Sequence, residues 1–204
     1  SADAHHASSG SRYARVSWYG LHCFARGGRT VGIGGTGRIA RVTAGLLHGF
    51  GCMLFACDPC PDPDGVAVYI EFVSPEQLFS SSDIISLHCP LTPDTHHMID
   101  CDALEAMKPG IVLLNTSRGA VVDSAALIKG LKNLKIGALG LDVYEEEADF
   151  FFEDISNRGI QDDVFARLLT FPNVLITGHQ GFFTHEAMTA IAETTIANIS
   201  MFEQ

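Results

Sequence analysis

Residues 30–58 read TVGIGGTGRIARVTAGLLHGFGCMLFACD, and the order of events in that stretch decides the fold. A short apolar run, TVGIG, leads into Gly35-Thr36-Gly37-Arg38-Ile39-Ala40, a G-x-G-x-x-G/A loop, and then into helical spacing through Val42, Leu46 and Leu47. The run CMLFACD returns to strand character and ends on Asp58. Strand, glycine turn, helix and second strand make a βαβ unit, whose strands lie parallel. Gly35 permits the tight turn, Gly37 lets backbone approach a bound pyrophosphate, and the free N–H groups of the helix N-terminus face the phosphates. A second frame, Gly32-x-Gly34-x-x-Gly37, would cut the first strand short, so the later frame is preferred, with Ala40 in the third small position. Gly34 then lies inside the strand, where glycine is expected to soften it.

Asp58 lies about twenty residues beyond the loop, where an acidic side chain accepts hydrogen bonds from the adenosine ribose. This favours NAD as the cofactor. A 2′-phosphate would meet the carboxylate at close range, and Pro59 and Cys60 follow in place of an offsetting Arg. The plainer reading of Asp58-Pro59 is a turn starter.

Outward from this unit, VAVYI, DIISLH, IVLLN, IGALGLDV and NVLIT read as further strands, most of them separated by helical spacing. The alternation predicts an α/β fold, a doubly wound parallel sheet covered on both faces. Ser74-Pro75-Glu76-Gln77 offers an N-cap, a proline at the first helical position and a capping-box Gln, and Asp100 and Asp123 are placed to cap two more helices. Pro109-Gly110 ends the middle one. From about Thr184 to Phe202 one long amphipathic helix is expected, with Ala187, Ile191, Ile196 and Ile199 on its apolar side.

The chain has 204 residues, 47% of them hydrophobic, which is ample for a core. Its net charge of −11 and lack of any basic run argue against nucleic acid or an anionic membrane as partners. No apolar stretch is long enough to span a bilayer, and SADAHHASSGS lacks the features of a secretion signal, so a cytoplasmic protein is expected. Cys52, Cys57, Cys60 and Cys89 reproduce an iron–sulfur spacing, but Cys52 and Cys57 flank a strand and the loop lacks glycine for a cluster. Cys57-Asp-Pro-Cys60 follows a strand and does not open a helix, unlike a redox CxxC. Reduced thiols and no metal site are expected.

Three strand-like segments run into one polar residue each: Arg118 after IVLLNTS, Glu147 after GALGLDVYEE and His179 after NVLITG. In an open parallel sheet the carboxyl ends of the strands converge on one edge. Arg can grip a carboxylate through two parallel hydrogen bonds, and a Glu bonded to an imidazole favours its protonated form, making a general acid. Singly, each has a bland reading as a loop charge or structural histidine; their joint placement suggests catalysis.

Together with HCPLTPDT at 88–95, NTSRG at 115–119, LDVYEEE at 141–147 and TGHQ at 177–180, these features resemble the NAD-dependent D-2-hydroxyacid dehydrogenases over roughly residues 17–204. The stretch DFFFEDISNRGIQDDVFARL at 149–168 looks like the bacterial fermentative D-lactate dehydrogenases. The resemblance implies that Arg118 binds the substrate carboxylate and polarises its carbonyl, His179 donates the proton, and Glu147 is the partner of His179. The pattern D-x-Y-E-x-E aligns Asp142, Tyr144, Glu145 and Glu147, leaving Glu145 and Glu146 as solvated loop charges. Cofactor contacts are implied at Gly35, Gly37, Arg38, Ile39, Asp58, Cys89, Pro90, Thr95, Thr116, Ser117 and Asp142, with Cys89 as a backbone wall.

The implied reaction is reversible hydride transfer from NADH to C2 of pyruvate, giving D-lactate in fermentation. The alternatives are another 2-oxo acid, or a non-catalytic NAD-sensing module like the C-terminal binding protein corepressors. Family members carry a substrate lobe ahead of the connector, and this sequence begins about where that lobe ends. The division expected is an irregular lead and connector over 1–28, a dinucleotide-binding domain over 29–183, and over 184–204 a helix belonging to an incomplete substrate lobe. With half the cleft absent, turnover is expected to suffer, and the apolar stripe of the last helix is expected to lack cover. A homo-oligomer, a dimer through the cofactor domain or larger, is implied.

Overall fold

A computed structural model describes residues 28–61, 69–145, 162–181 and 183–202. Seven strands form one parallel sheet in the order β3-β2-β1-β4-β5-β6-β7. They are β1 (Thr30–Gly34), β2 (Met53–Cys57), β3 (Ile70–Phe72), β4 (Ile84–Leu87), β5 (Ile111–Asn115), β6 (Ile136–Leu141) and β7 (Val174–Ile176). The order reverses between β1 and β4, which is where a doubly wound sheet opens a crevice at its carboxyl edge.

Among the described residues the helices are α1 (Arg38–Gly49), α2 (Pro75–Ser81), α3 (Cys101–Ala106), α4 (Ser124–Lys132), α5 (Asp163–Leu168) and α6 (His185–Phe202), with a 3₁₀ turn at Gly119–Val121. Ser74 caps α2 by accepting from the Gln77 N–H, Asp100 caps α3 through Ala103, and Asp123 caps α4 through Ala125 and Ala126. The two faces of the sheet carry separate cores. Val31, Ile33, Leu54 and Ile84 meet Ala40, Ala44 and Leu47 of α1, whereas Ile85, Leu87, Leu113 and Leu139 join residues of α2 to α5. Alternate residues of β4 and β5 thus serve opposite faces, as a period of two requires.

Two expectations are corrected. The run VAVYI was expected to be a strand, but β3 contains only its last residue, Ile70, and continues through Glu71 and Phe72; residues 62–68 lie outside the described residues. Pairing with β2 (Leu54 with Ile70, Ala56 with Phe72) sets this register, and the exposed Glu71 suits an edge. Gly34 is not a gap that a larger side chain would fill. It is buried between Cys57 and Leu87, and a Cβ there would sit 3.2 Å from Leu87 Cδ2. Glycine here makes room for a neighbour's side chain.

Asp83, before β4, holds the sheet at its other edge. Its Oδ2 accepts the Thr30 N–H at 3.0 Å and its Oδ1 the Lys108 ammonium at 2.9 Å. The α6 helix buries none of its residues, and Ile191, Ile196 and Ile199 are exposed. Among the described residues no helix is long and apolar enough to cross a membrane.

Burial raises the carboxyl pKa of Asp58, Asp83 and Asp162, but hydrogen bonds outweigh it and hold all three below the usual range. For Asp83 these come from the Thr30 N–H and Lys108; for Asp162, from the Tyr144 hydroxyl and the N–H groups opening α5. A depressed folded-state pKa contributes stability that is present above the unfolded value, near 3.9, and lost as pH falls through the folded one. These carboxylates should therefore make the urea midpoint drop steadily from about pH 5 toward pH 3. Asp83→Asn should lower it at neutral pH and flatten that acid slope.

Candidate active site

The crevice begins where β1 ends. Gly35 has φ +90°, and a Cβ on it would lie 2.9 Å from both Cα and N of Cys89. Its N–H donates to the Cys57 carbonyl at 2.8 Å, and the His88 N–H donates to the Gly34 carbonyl at 2.7 Å. The glycine turn is thus pressed between the ends of β2 and β4. Gly37, at the N-cap of α1, receives no side-chain cap, in contrast to the Ser and Asp residues that cap α2 to α5. A Cβ on Gly37 would meet nothing within 4 Å. The first turn of a 12-residue helix therefore faces open space with its N–H groups uncapped by side chains, and Arg38 and Ile39 stand exposed beside it. This is the arrangement that receives a pyrophosphate.

Asp58 follows β2. Its Oδ2 accepts both the N–H and the hydroxyl of Thr36, each at 2.7 Å, and its Oδ1 accepts the Cys60 N–H at 2.9 Å. The turn-starter geometry is present, through Cys60, alongside a grip on the glycine loop. Arg41 of α1 donates from Nε to the Thr36 carbonyl at 3.0 Å, and its charge helps hold the Asp58 carboxyl down. Thr36 and Arg41 were missed in the sequence. A threonine inside a glycine loop was the available signal; nothing local marked Arg41.

After β4, His88 shares a hydrogen bond with the Ser86 hydroxyl at 2.9 Å, and burial pushes its pKa down, favouring the neutral ring. Cys89 is buried against Gly35, and burial pushes its thiol up. Cys89 therefore meets the glycine turn through its backbone. The Thr95 hydroxyl donates to the Pro90 carbonyl at 2.7 Å and accepts the Thr92 N–H at 2.8 Å, which fixes the loop.

After β5, the buried Asn115 amide organises NTSRG. Its Oδ1 accepts the N–H and hydroxyl of Ser117 at 3.0 and 2.9 Å, and its Nδ2 donates to the Arg118 carbonyl at 2.8 Å. Ser117 is thereby turned inward, whereas Thr116 and Arg118 are exposed. The Arg118 guanidinium rests on the Ser117 carbonyl at 2.7 Å. After β6, the Asp142 N–H donates to the Asn115 carbonyl at 2.9 Å and the Asp142 carboxylate accepts the Thr177 hydroxyl. His179, two residues on, adopts φ +53°, a conformation rare outside glycine. Arg118, Asp142 and His179 thus follow three adjacent strands at one edge.

Glu147 lies outside the described residues, as does Glu146. Glu145 corrects an expectation: it is no solvated loop charge. Its Oε1 meets His97 Nε2 at 2.6 Å and its Oε2 accepts the Ser124 hydroxyl at 2.9 Å. A Cβ on Gly119 would fall 2.0 Å from the Tyr144 carbonyl carbon, so the chain before Glu145 runs directly over the residue after Arg118. In sequence, three consecutive glutamates looked alike.

Residues 5–181 match the family model for the D-isomer specific 2-hydroxyacid dehydrogenase, NAD binding domain. Over 200 residues the chain is 51% identical to a D-lactate dehydrogenase of Escherichia coli strain K12, covering 98% of this chain and 61% of that protein. A structure of the pyruvate reductase of Chlamydomonas reinhardtii superposes with a TM-score of 0.84 at 39% identity, covering 94% of this chain and 61% of that one. A D-lactate dehydrogenase with NAD+ from Lactobacillus jensenii gives a TM-score of 0.78 at 31% identity, over 83% and 51% of the two chains. The chain spans only about three fifths or less of these relatives.

Gly119→Ala should destabilise the fold by about 1–3 kcal/mol, because backbone must move to admit the methyl group. Ser124→Ala should cost about 0.5–1.5 kcal/mol through the lost bond to Glu145. Urea unfolding followed by circular dichroism measures both.

Proposed function

Because the chain belongs to the D-isomer specific 2-hydroxyacid dehydrogenase family as its NAD-binding domain, we propose that it supplies the cofactor side of a cytoplasmic, fermentative D-lactate dehydrogenase that reduces pyruvate. The observation that carries this reading is the crevice itself. The Gly35 turn against Cys89 and the uncapped start of α1 fit a pyrophosphate, and Asp58 has acceptor capacity left for a ribose hydroxyl. Asp58 disfavours a 2′-phosphate, and Arg41 tempers that preference from the side of the glycine loop. Arg38, Ile39, Cys89, Pro90, Thr95, Thr116, Ser117 and Asp142 are assigned to the walls of the same crevice, Ser117 and Thr95 through their backbone, since their hydroxyls are engaged internally.

When bound, NADH supplies the hydride. The chain's own residues do the rest: Arg118 releases the Ser117 carbonyl and grips the substrate carboxylate, and its charge pulls electron density toward the C2 oxygen. His179 holds a proton at that oxygen, and Glu147 keeps the imidazole charged and oriented. Negative charge grows on the oxygen during transfer, so both cations bind the transition state better than the substrate. We assign residues 29–183 to the cofactor domain and 184–204 to the helix that belongs with a substrate lobe. The exposed stripe of Val42 and Leu46 on α1, with Phe50 just beyond its end, supports a dimer through this domain.

NADH should quench or shift fluorescence on titration into this chain more strongly than NADPH, and Asp58→Asn should narrow that preference; equal affinities in the parent chain would overturn the cofactor assignment. In a protein joining this chain to a substrate lobe, Arg118→Gln should lower kcat/KM for pyruvate by about 10²–10³. Glu147→Gln should lower the apparent pKa of the acid-requiring limb of the reduction. An unchanged pH profile would remove Glu147 from its role.

A further inference from the structure

Outside the assigned reaction, three metal-ligating side chains meet across two loops. His96 and His97 follow β4, Glu145 follows β6, and one potential ligand atom from each lies within 4.8 Å of the others. His97 Nε2 and Glu145 Oε1 are 2.6 Å apart, and the His96 and His97 rings stack with centroids 4.0 Å apart. We propose that His96, His97 and Glu145 form a binding site for a zinc-like divalent cation that ties these two loops together.

The donor set selects the class of ion. Two imidazoles and one carboxylate suit Zn²⁺ and its neighbours, with water in the fourth place, whereas Mg²⁺ and Ca²⁺ prefer oxygen ligands throughout. Ligands about 2.0–2.1 Å from a tetrahedral ion stand about 3.3 Å apart, a spacing that lies between the 2.6 Å contact and the 4.8 Å limit of the cluster. Two of the three ligands are already held from behind. The second oxygen of Glu145 accepts the Ser124 hydroxyl at 2.9 Å, and the His97 backbone N–H donates to the Ala120 carbonyl at 2.8 Å, which fixes the main chain that carries the ring. His97 also adopts φ +51°, a strained value for a residue with a Cβ, and strain of this kind gathers at ligand sites. His96 is exposed and stacks on His97, with a ring nitrogen already within the 4.8 Å span of the cluster. Binding requires the proton between His97 and Glu145 to leave Nε2, because the metal takes that lone pair.

This inference does not depend on turnover, so it can be tested on the chain as it is. ZnCl₂ is titrated by calorimetry into chelator-treated protein carrying His5→Ala and His6→Ala, which removes another adjacent histidine pair in the sequence. One Zn²⁺ per chain is expected, with a rise in Tm, and His96→Ala and Glu145→Gln should each weaken binding by at least about tenfold. Because His96 is exposed, its variant keeps the parent's circular dichroism, so loss of binding there is not loss of fold. Ser124→Ala should weaken binding in the same direction. Co²⁺ substituted for Zn²⁺ should show no thiolate charge-transfer band. Binding that survives both ligand variants, or a thiolate band that vanishes with Cys60 or Cys101, would overturn the proposal.

Discussion

The rest of the crevice depends on one close approach: the backbone of Gly35 against that of Cys89, with no space for a Cβ between them. Three hydrogen-bonded strand ends meet there, because Gly35 is tied to β2 through Cys57 and Gly34 to β4 through His88. A side chain at Gly35 would have to push β1 and β4 apart where the strand order reverses. It would also suffer the positive φ that glycine alone tolerates cheaply. The turn therefore fixes both the position of α1 and the direction in which its free N–H groups point.

The other side of the crevice is assembled from polar contacts between successive loops. Asn115 shapes the loop after β5 from within, and its carbonyl receives the Asp142 N–H of the next loop. Asp142 in turn accepts from Thr177, ahead of His179. Gly119 lets the chain at Tyr144 lie directly on this loop, and Glu145 reaches across to His97 and Ser124. Each connection has its partner within hydrogen-bond reach, so the loops that carry the rim residues are tied to one another.

Much of this was legible because it is local. The strand IVLLN, the caps at Ser74, Asp100 and Asp123, and the frame of the glycine loop each depend on neighbours in sequence, and each falls where its pattern put it. The exceptions are long-range. VAVYI has strand composition, but pairing with β2 decides which residues form β3. Gly34 looked like a weakness because its neighbour Leu87 is distant in sequence. Glu145 could not be told from the glutamates beside it, since His97 and Ser124 become its partners only once β4, β5 and β6 are side by side.

Asp58 shows how the two kinds of information join. Its place at the end of the second strand pointed to a ribose, and the structure gives it a second duty as the anchor of Thr36. The carboxylate has about four lone-pair positions, and three are occupied by Thr36 and Cys60, which leaves one acceptor position. Removing its charge thus loosens the glycine loop. Loop geometry is set by this one side chain, and Arg41 couples to it by holding the Thr36 carbonyl while lowering the Asp58 pKa. A change at Arg41 alone would leave the Asp58 hydrogen bonds to Thr36 in place and so separate the electrostatic contribution from the structural one.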